Sequence, residues 1–219
     1  KASELEMKAL RAQMNPHFIF NCLSSINRFI LKNESETASD YLTKFSRLIR
    51  MVLNNSKKNL IILEDELEML RLYLDLERLR FKNSFDYCIT FHNNFDAGSI
   101  FIPPLLLQPF AENAIWHGLM HKEGHGILDV AFELENNILN CYITDNGVGR
   151  KKAEALKSKS AEKQKSFGMQ ITAERLALLN KDLEQTSFSV EDVVDAEGQA
   201  AGTRVTLKIR YKESVEEFS

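Results

Sequence analysis

Several features that mark well-known classes of protein are scarce in this chain of 219 residues. Its three cysteines are odd in number and far apart, so they exclude a disulfide framework and metal-type spacing and predict reduced, mostly buried thiols. No apolar run reaches the ~18 residues that cross a bilayer, and no signal peptide is visible. With 28 basic and 31 acidic residues the net charge is only -3, which argues against a nucleic-acid partner.

What is present favours a folded domain. A hydrophobic content of 44% is enough to build a core, and the length suggests one large or two small domains. The chain begins with Lys1 rather than methionine, which indicates a piece of a longer protein. The absence of a membrane segment from this chain therefore says nothing about the longer protein.

Residues 3–82 have helical periodicity. Apolar seams with 3-4 spacing lie on both sides of Asn15-Pro16, a step that suits an N-cap followed by proline at the first helical position. If the helix instead runs through, Pro16 kinks it, and in both cases His17 lies beside irregular backbone. Polar turns at 33–35 and 54–59 divide the region into three helices. The exposed seams predict pairing with a second copy in a four-helix bundle.

After Asn83 the apolar period changes to two, which is typical of strands. The pattern predicts an α+β fold, in which helices cover one face of a mixed, mainly antiparallel sheet. We predict three parts: a helical dimerisation and histidine region, a sandwich domain and a tail, with the bounds 1–83, 84–212 and 213–219. The expected strands and helices of the sandwich are 87–92, 105–119 (helix), 130–134, 139–143, 169–181 (helix), 188–192 and 205–209.

Asp145 closes one of these strands and is followed by Asn146-Gly147-Val148-Gly149. A carboxylate at this place can accept a hydrogen bond from an exocyclic amine such as that of adenine. Gly147 and Gly149 allow the backbone to approach a ligand and to take positive φ. The same residues also suit a simple turn, and the motif alone does not separate the two interpretations.

Asn113 lies in the middle of a predicted helix, where asparagine is a poor helix former. Its amide oxygen suits Mg²⁺ that is held mainly by nucleotide phosphates. His117 follows one turn later on the same face and can reach a phosphate or ribose oxygen. The alternative for His117 is a surface or half-buried histidine without a ligand.

A basic segment follows Gly149 and includes Lys152. Between residues 150 and 165 it holds seven basic and two acidic residues, so it can neutralise a triphosphate or simply form a solvated loop. Gly168 then opens a helix whose N-terminal N–H groups suit an anion. Before the last strand, Thr203 can bind a ligand oxygen or only begin the strand.

Together these residues resemble the GHKL, or Bergerat, ATP-binding fold shared by histidine kinases, gyrase, mismatch-repair ATPases and heat-shock chaperones. Asn113 matches the N box, in which the resemblance implies a Mg²⁺ ligand. Asp145, Gly147 and Gly149 match the G1 box, whose aspartate would bind the adenine amine. Gly168 matches the G2 box, and Gly202-Thr203 matches the final element.

The run Gln13 to Asn21, which contains Asn15-Pro16-His17-Phe18, resembles the phospho-acceptor motif of LytS-type sensor histidine kinases. Residues 72–81 and 112–118 also fit that subfamily. The resemblance implies autophosphorylation of His17 by ATP with Mg²⁺, transfer to an aspartate of a response regulator, and a homodimer. It also implies a cytoplasmic segment of a membrane sensor, with any membrane contact made by parts of the parent outside this chain. Asn21, one turn after His17, would orient a water for dephosphorylating the partner, or would only bond across the bundle.

Three positions depart from the wider family. Ser166 replaces the first glycine of the G2 box, which leaves open a dimerising scaffold without catalysis. Phe18 follows His17, where the commonest histidine kinases have an acidic residue, so no adjacent general base is evident. Pro109 stands four residues before Asn113, where gyrase-like members carry the glutamate that activates water. An ATPase that couples hydrolysis to mechanical work is therefore disfavoured.

Overall fold

The computed structural model describes residues 16–150, 152–153, 172, 174, 176–177 and 187–213. Among these, no helix is long and apolar enough to cross a bilayer. The elements in chain order are α1 (Pro16–Leu31), α2 (Ser35–Asn55), β1 (Ile61–Ile62), α3 (Leu63–Arg80), β2 (Phe85–Phe91), β3 (Phe101–Ile102), α4 (Gln108–Asn113), a π-helical turn (Ala114–Gly118), a 3₁₀ turn (Leu119–His121), β4 (Gly126–Glu135), β5 (Ile138–Asp145), β6 (Phe188–Val194) and β7 (Ala200–Arg210).

Helices α1 and α2 form a hairpin. Pro16 is the first residue of α1, as its fixed φ favours, and Asn33 ends the turn after α1 with a φ of 58°. The two helices meet through Phe29 and Tyr41, whose ring centroids are 5.6 Å apart. The Tyr41 hydroxyl also donates a hydrogen bond of 3.4 Å to Cys22 Sγ. The buried cysteine therefore acts as a packing residue of the hairpin.

Helix α3 contacts both the hairpin and the sheet side of the molecule. Phe18 of α1 packs against Tyr73 of α3 with ring centroids 5.2 Å apart. Immediately before α3, β1 pairs with β3 in an antiparallel ladder. Because α3 is linked both to the hairpin and to the sheet region, the domain boundary that the sequence predicts at residue 83 stays a prediction.

The main sheet has five strands in the order β2-β4-β5-β7-β6. The β2–β4 pair is parallel and the other pairs are antiparallel. Strands β4 and β5 form the expected hairpin, whose turn residues Asn136 and Asn137 take φ of 49° and 62° as a tight hairpin requires. Alternate residues of β4 and β7 are buried, whereas β5 also buries Asn140 between Leu139 and Cys141. The predicted α+β architecture, with N-terminal helices followed by a mixed sheet, is confirmed.

The helix predicted over 105–119 is wrong at its start and in its regularity. Leu105 has a φ of 59°, α4 begins only at Gln108, and the chain then continues as a π-helical and a 3₁₀ turn. The cause is Glu66 of α3, which is 2% exposed and accepts hydrogen bonds of 2.7–3.0 Å from the N–H groups of residues 105–107. Most of the helix predicted over 169–181 lies outside the described residues.

Candidate functional site

A cavity of about 230 Å³ lies between α4 with its π-helical turn and the adjoining ends of β5, β6 and β7. Five of the residues predicted from the sequence line it, so chain segments about 90 residues apart converge at one place. These five are Asn113, His117, Asp145, Gly149 and Thr203. The apolar part of the wall includes Phe110, Ala114, Ala153, Val190 and Val205.

Asp145, at the end of β5, is the charged residue most deeply set in this wall, with 4% of its surface exposed. Burial raises the pKa of its carboxyl from 3.8 to about 6. The backbone hydrogen bonds from Gly147 and Thr203 and the charge of Lys122 oppose this rise in pKa but do not cancel it. The Gly147 N–H donates to Asp145 Oδ1 over 2.8 Å. The result is a fixed, desolvated acceptor, which suits a ligand N–H donor.

Glycines permit the close packing around this carboxylate. A Cβ atom on Gly118 would lie 2.5 Å from Asp145 Oδ1, and one on Gly147 would collide with the backbone of Gly118. Gly202, at a φ of 148°, faces the Asp145 carbonyl oxygen so closely that a side chain has no room. The sequence predicted close approach at Gly147 but gave no sign that Gly118 packs on Asp145, because the two are distant in the chain.

The edge of the cavity is held by charged side chains. Gly149 takes a φ of 76°, and the following Arg150 lines the cavity. Arg150 forms a bidentate ion pair with Asp192 of β6, with N–O distances of 2.7 and 3.0 Å. Lys122 Nζ donates to the Asn146 carbonyl over 2.7 Å and so fixes the turn after β5. The sequence placed Arg150 in the basic segment but did not predict its pairing with Asp192, and it missed Lys122, because neither partner is local in the chain.

Asn113 and His117 line the cavity from two consecutive elements of secondary structure. Asn113 is the last residue of α4, and His117 belongs to the π-helical turn that follows. Both side chains are half-buried and line the cavity. Lys152 is exposed and, among the described residues, does not belong to the lining. Gly147 packs against Gly118 and Asp145 and is not among the lining residues. Gly168 lies outside the described residues.

His17 occupies the first turn of α1 and is exposed. Its Nδ1 lies 3.1 Å from Nδ2 of Asn21, so these two side chains, one turn apart, face the same way. The imidazole also packs on Trp116, with ring centroids 5.6 Å apart. His17 does not line the cavity itself, but it touches the segment that carries Asn113 and His117.

Known proteins resemble both the helical region and the sheet domain of this chain. The sequence model of the family described as histidine kinase matches residues 5–85. Sensor protein LytS of Staphylococcus epidermidis is 30% identical over 220 residues, covering 98% of this chain and 35% of its own length. The sensor histidine kinase/phosphatase LytS of Staphylococcus aureus is 30% identical over 217 residues, covering 98% and 36%. A solved histidine kinase domain from Erythrobacter litoralis EL346 is 15% identical, with 95% of each chain covered and a TM-score of 0.47.

The structure joins a helical hairpin that carries His17 to a sheet domain whose cavity is lined by Asp145. On the sequence matches, the chain belongs to the histidine kinase family. Within the family it is related to the LytS sensor proteins. The chain spans about a third of the length of the curated relatives it matches.

Proposed function

We propose that this chain is the kinase core of a two-component sensor and that it transfers the γ-phosphoryl group of ATP to His17. One observation carries the proposal. The segment that lines the cavity with Asn113 and His117 is the same segment whose Trp116 touches His17. A nucleotide bound in the cavity would therefore lie beside the α1 turn that presents the imidazole.

The cavity wall fits the base of ATP. Asp145 offers a desolvated carboxylate acceptor for the adenine amine, and the apolar wall residues suit the faces of a flat ring. Ligand pockets commonly measure roughly 300–1,000 Å³. A cavity of about 230 Å³ therefore encloses only part of a nucleotide within the described residues. The phosphates would extend towards the basic segment after Gly149.

Asn113, His117, Lys152, Gly168 and Thr203 are the residues we propose for the rest of the nucleotide. Asn113 would ligate Mg²⁺, which supplies charge neutralisation at the phosphates when it is bound. His117 and Thr203 line the cavity within reach of a ligand oxygen. Lys152 is exposed next to the lining residue Ala153, so it can turn towards the phosphates.

In the proposed reaction His17 acts as a nucleophile towards the γ-phosphorus of ATP. An imidazole nitrogen lone pair forms a bond to the γ-phosphorus, the bond from that phosphorus to the bridging oxygen breaks, and ADP leaves with the electron pair. The ring proton passes to solvent, to which the exposed His17 has access. Near neutral pH an ordinary imidazole is largely in its nucleophilic form, so catalysis rests mainly on positioning and charge neutralisation.

The partners we propose are a response regulator, whose aspartate accepts the phosphoryl group, and a second copy of the chain. The hairpin presents exposed apolar side chains on α1 and α2, which suit a bundle between two copies. They are Phe20, Leu23, Ile30, Leu31, Leu42 and Leu53. We further propose that Asn21 assists dephosphorylation of the regulator, because it already contacts His17 and because the Staphylococcus aureus relative is named a kinase/phosphatase.

Labelling with γ-³²P-ATP and Mg²⁺ tests the proposed reaction. We expect the wild-type chain to gain a base-stable, acid-labile label, and His17→Gln to lose it while ATP binding is unchanged. His92→Gln is the matched control, since His92 is also exposed but lies immediately after β2. A wild-type chain that binds Mg-ATP and never becomes labelled would contradict the proposal and favour a scaffold without catalysis.

A second variant tests the metal role separately. Asn113→Asp places a charge on the cavity wall and should weaken the use of Mg-ATP, because the added carboxylate repels the phosphates and alters the metal site. Labelling should fall while the fold, followed by circular dichroism, is kept. Unchanged binding and labelling would remove Asn113 from the proposed metal site.

A further inference from the structure

We propose that Trp116 is a positioning residue that holds His17 against the nucleotide-binding segment of its own chain. The inference rests on the proposed function, because it concerns how the phospho-acceptor is presented. It assigns a task to a residue that neither ligates the nucleotide nor reacts.

The contact between the two rings is direct. The imidazole of His17 and the indole of Trp116 have centroids 5.6 Å apart and planes inclined by 53°. Such tilted pairs are a favourable aromatic geometry. His17 is exposed, so a ring on one side and Asn21 on another restrict a side chain that would otherwise explore several rotamers.

The other sides of the indole are held by the end of α3. Phe81 meets Trp116 edge-on, with centroids 5.6 Å apart and an interplanar angle of 85°. The guanidinium of Arg80 lies 4.6 Å from the centroid of Trp116 and 4.2 Å from that of Phe81. A cation between two aromatic rings is an attractive arrangement that fixes all three groups.

Arg80 is itself fixed. Its Nη2 donates to Glu77 Oε2 over 2.8 Å, and the two side chains are only 9% and 1% exposed. A buried, hydrogen-bonded ion pair of this kind keeps its geometry, because moving either charge alone leaves the other unpaired. The indole therefore rests on a rigid base and not on a mobile surface chain.

Trp116 also has the right place in the chain. It lies in the π-helical turn Ala114–Gly118, between Asn113 and His117, and both of these line the cavity. π-helical turns are rare and occur frequently at functional sites. One short segment therefore presents ligand-facing groups to the cavity and a ring to the phospho-acceptor.

Kinetics separate positioning from a merely structural role. Trp116→Leu removes the ring face, and the maximal labelling rate should fall about 2- to 10-fold, the size expected for loss of an aromatic pair, while KM for ATP stays unchanged. Trp116→Phe keeps a ring and should recover most of the rate. Phe91→Leu is the control, because it removes ring contacts with Phe95 and Phe132, at centroid distances of 5.2 and 5.7 Å, far along the chain from His17.

Fluorescence gives a readout that needs no Trp116 variant. Trp116 is the only tryptophan in the chain, so all of the tryptophan emission comes from the indole that contacts His17. After Mg-ATP is added, we expect an emission change with the rate constant of labelling. In His17→Gln, and in the wild type with a non-hydrolysable ATP analogue, only a binding phase should remain.

The outcomes distinguish the two proposals. Label on His17→Gln would overturn the proposed function itself. A labelled wild type whose emission trace matches that of His17→Gln would overturn only the positioning role of Trp116. The same holds if Trp116→Leu raises KM for ATP and leaves the maximal rate alone, since Trp116 would then act on the cavity.

Discussion

Replacing Asp145 with asparagine should make the protein more stable and less able to bind ATP. The carboxyl is buried, and its pKa is raised from 3.8 to about 6, so the folded state holds the charged form at a cost. A rise of this size corresponds to roughly 3 kcal/mol, since each pH unit is worth about 1.36 kcal/mol. Asparagine keeps an oxygen for the Gly147 N–H and carries no charge. It has one acceptor oxygen fewer for the backbone N–H groups of Gly147 and Thr203, so about 3 kcal/mol is the upper limit of the gain.

The sign of the pH dependence follows from the direction of the pKa change. A folded-state pKa above the unfolded value means that the cost is fully present above about pH 6 and disappears as the pH falls below 3.8. In the absence of ATP, Asp145→Asn should therefore raise the free energy of unfolding by up to about 3 kcal/mol at pH 8 and by almost nothing at pH 3.5.

Chemical denaturation at several pH values, with and without Mg-ATP, measures both effects. The variant should lose the stabilisation by ATP, because its amide N–H groups face the adenine amine donor. In the wild type, ATP affinity should fall as the pH drops below about 6, where the carboxylate becomes protonated. A variant that is less stable at pH 8, or that binds ATP as tightly as the wild type, would refute the reasoning.

Three other substitutions test the packing and the assembly. Gly118→Ala should displace Asp145 and weaken ATP binding about tenfold or more, because the new Cβ would lie 2.5 Å from Oδ1. Glu66→Gln should lower the free energy of unfolding by about 2 kcal/mol, because three backbone N–H groups lose a charged acceptor. Leu23→Glu, at a side chain that is 50% exposed on α1, should shift a dimer to monomers in light scattering.

Matched controls keep these results specific. Gly98→Ala adds a methyl group in an exposed turn and should leave ATP affinity unchanged. Glu64→Gln alters an exposed carboxylate in the same turn of α3 as Glu66, and its stability should match the wild type. Asn59→Glu adds the same charge in the exposed segment after α2, away from the apolar side chains of the hairpin, and should leave the dimer intact. Equal effects of test and control variants would count against each explanation.

Much of the fold was predictable because the signals are local. The helical period predicted α1 to α3, and alternation predicted the β4–β5 hairpin as well as β6 and β7, because each pattern reports a single buried face. The pairing of β1 with β3 was not predictable, since two-residue strands have no period. The parallel register of β2 on β4 depends on a crossover that no local pattern encodes.

Glu66 shows where local reasoning fails. Glu66 lies in the first turn of α3, where a negative charge interacts favourably with the helix dipole. In the structure it is buried, and its carboxylate accepts hydrogen bonds from the backbone N–H groups of residues 105–107, about 40 positions away. This contact delays the start of α4 and so sets where Asn113 falls. In the site, motif spacing predicted Asp145, Asn113 and His117, whereas the ring contact of Trp116 with His17 arises from tertiary packing alone.

Locating the phosphoryl group on the chain tests the central claim most directly. The wild-type protein is incubated with Mg-ATP, digested at alkaline pH and mapped by mass spectrometry. The account predicts an added phosphoryl group on the α1 peptide, assigned to His17 by fragmentation. A phosphoryl group confined to another residue, or nucleotide binding with no modified peptide, would contradict it.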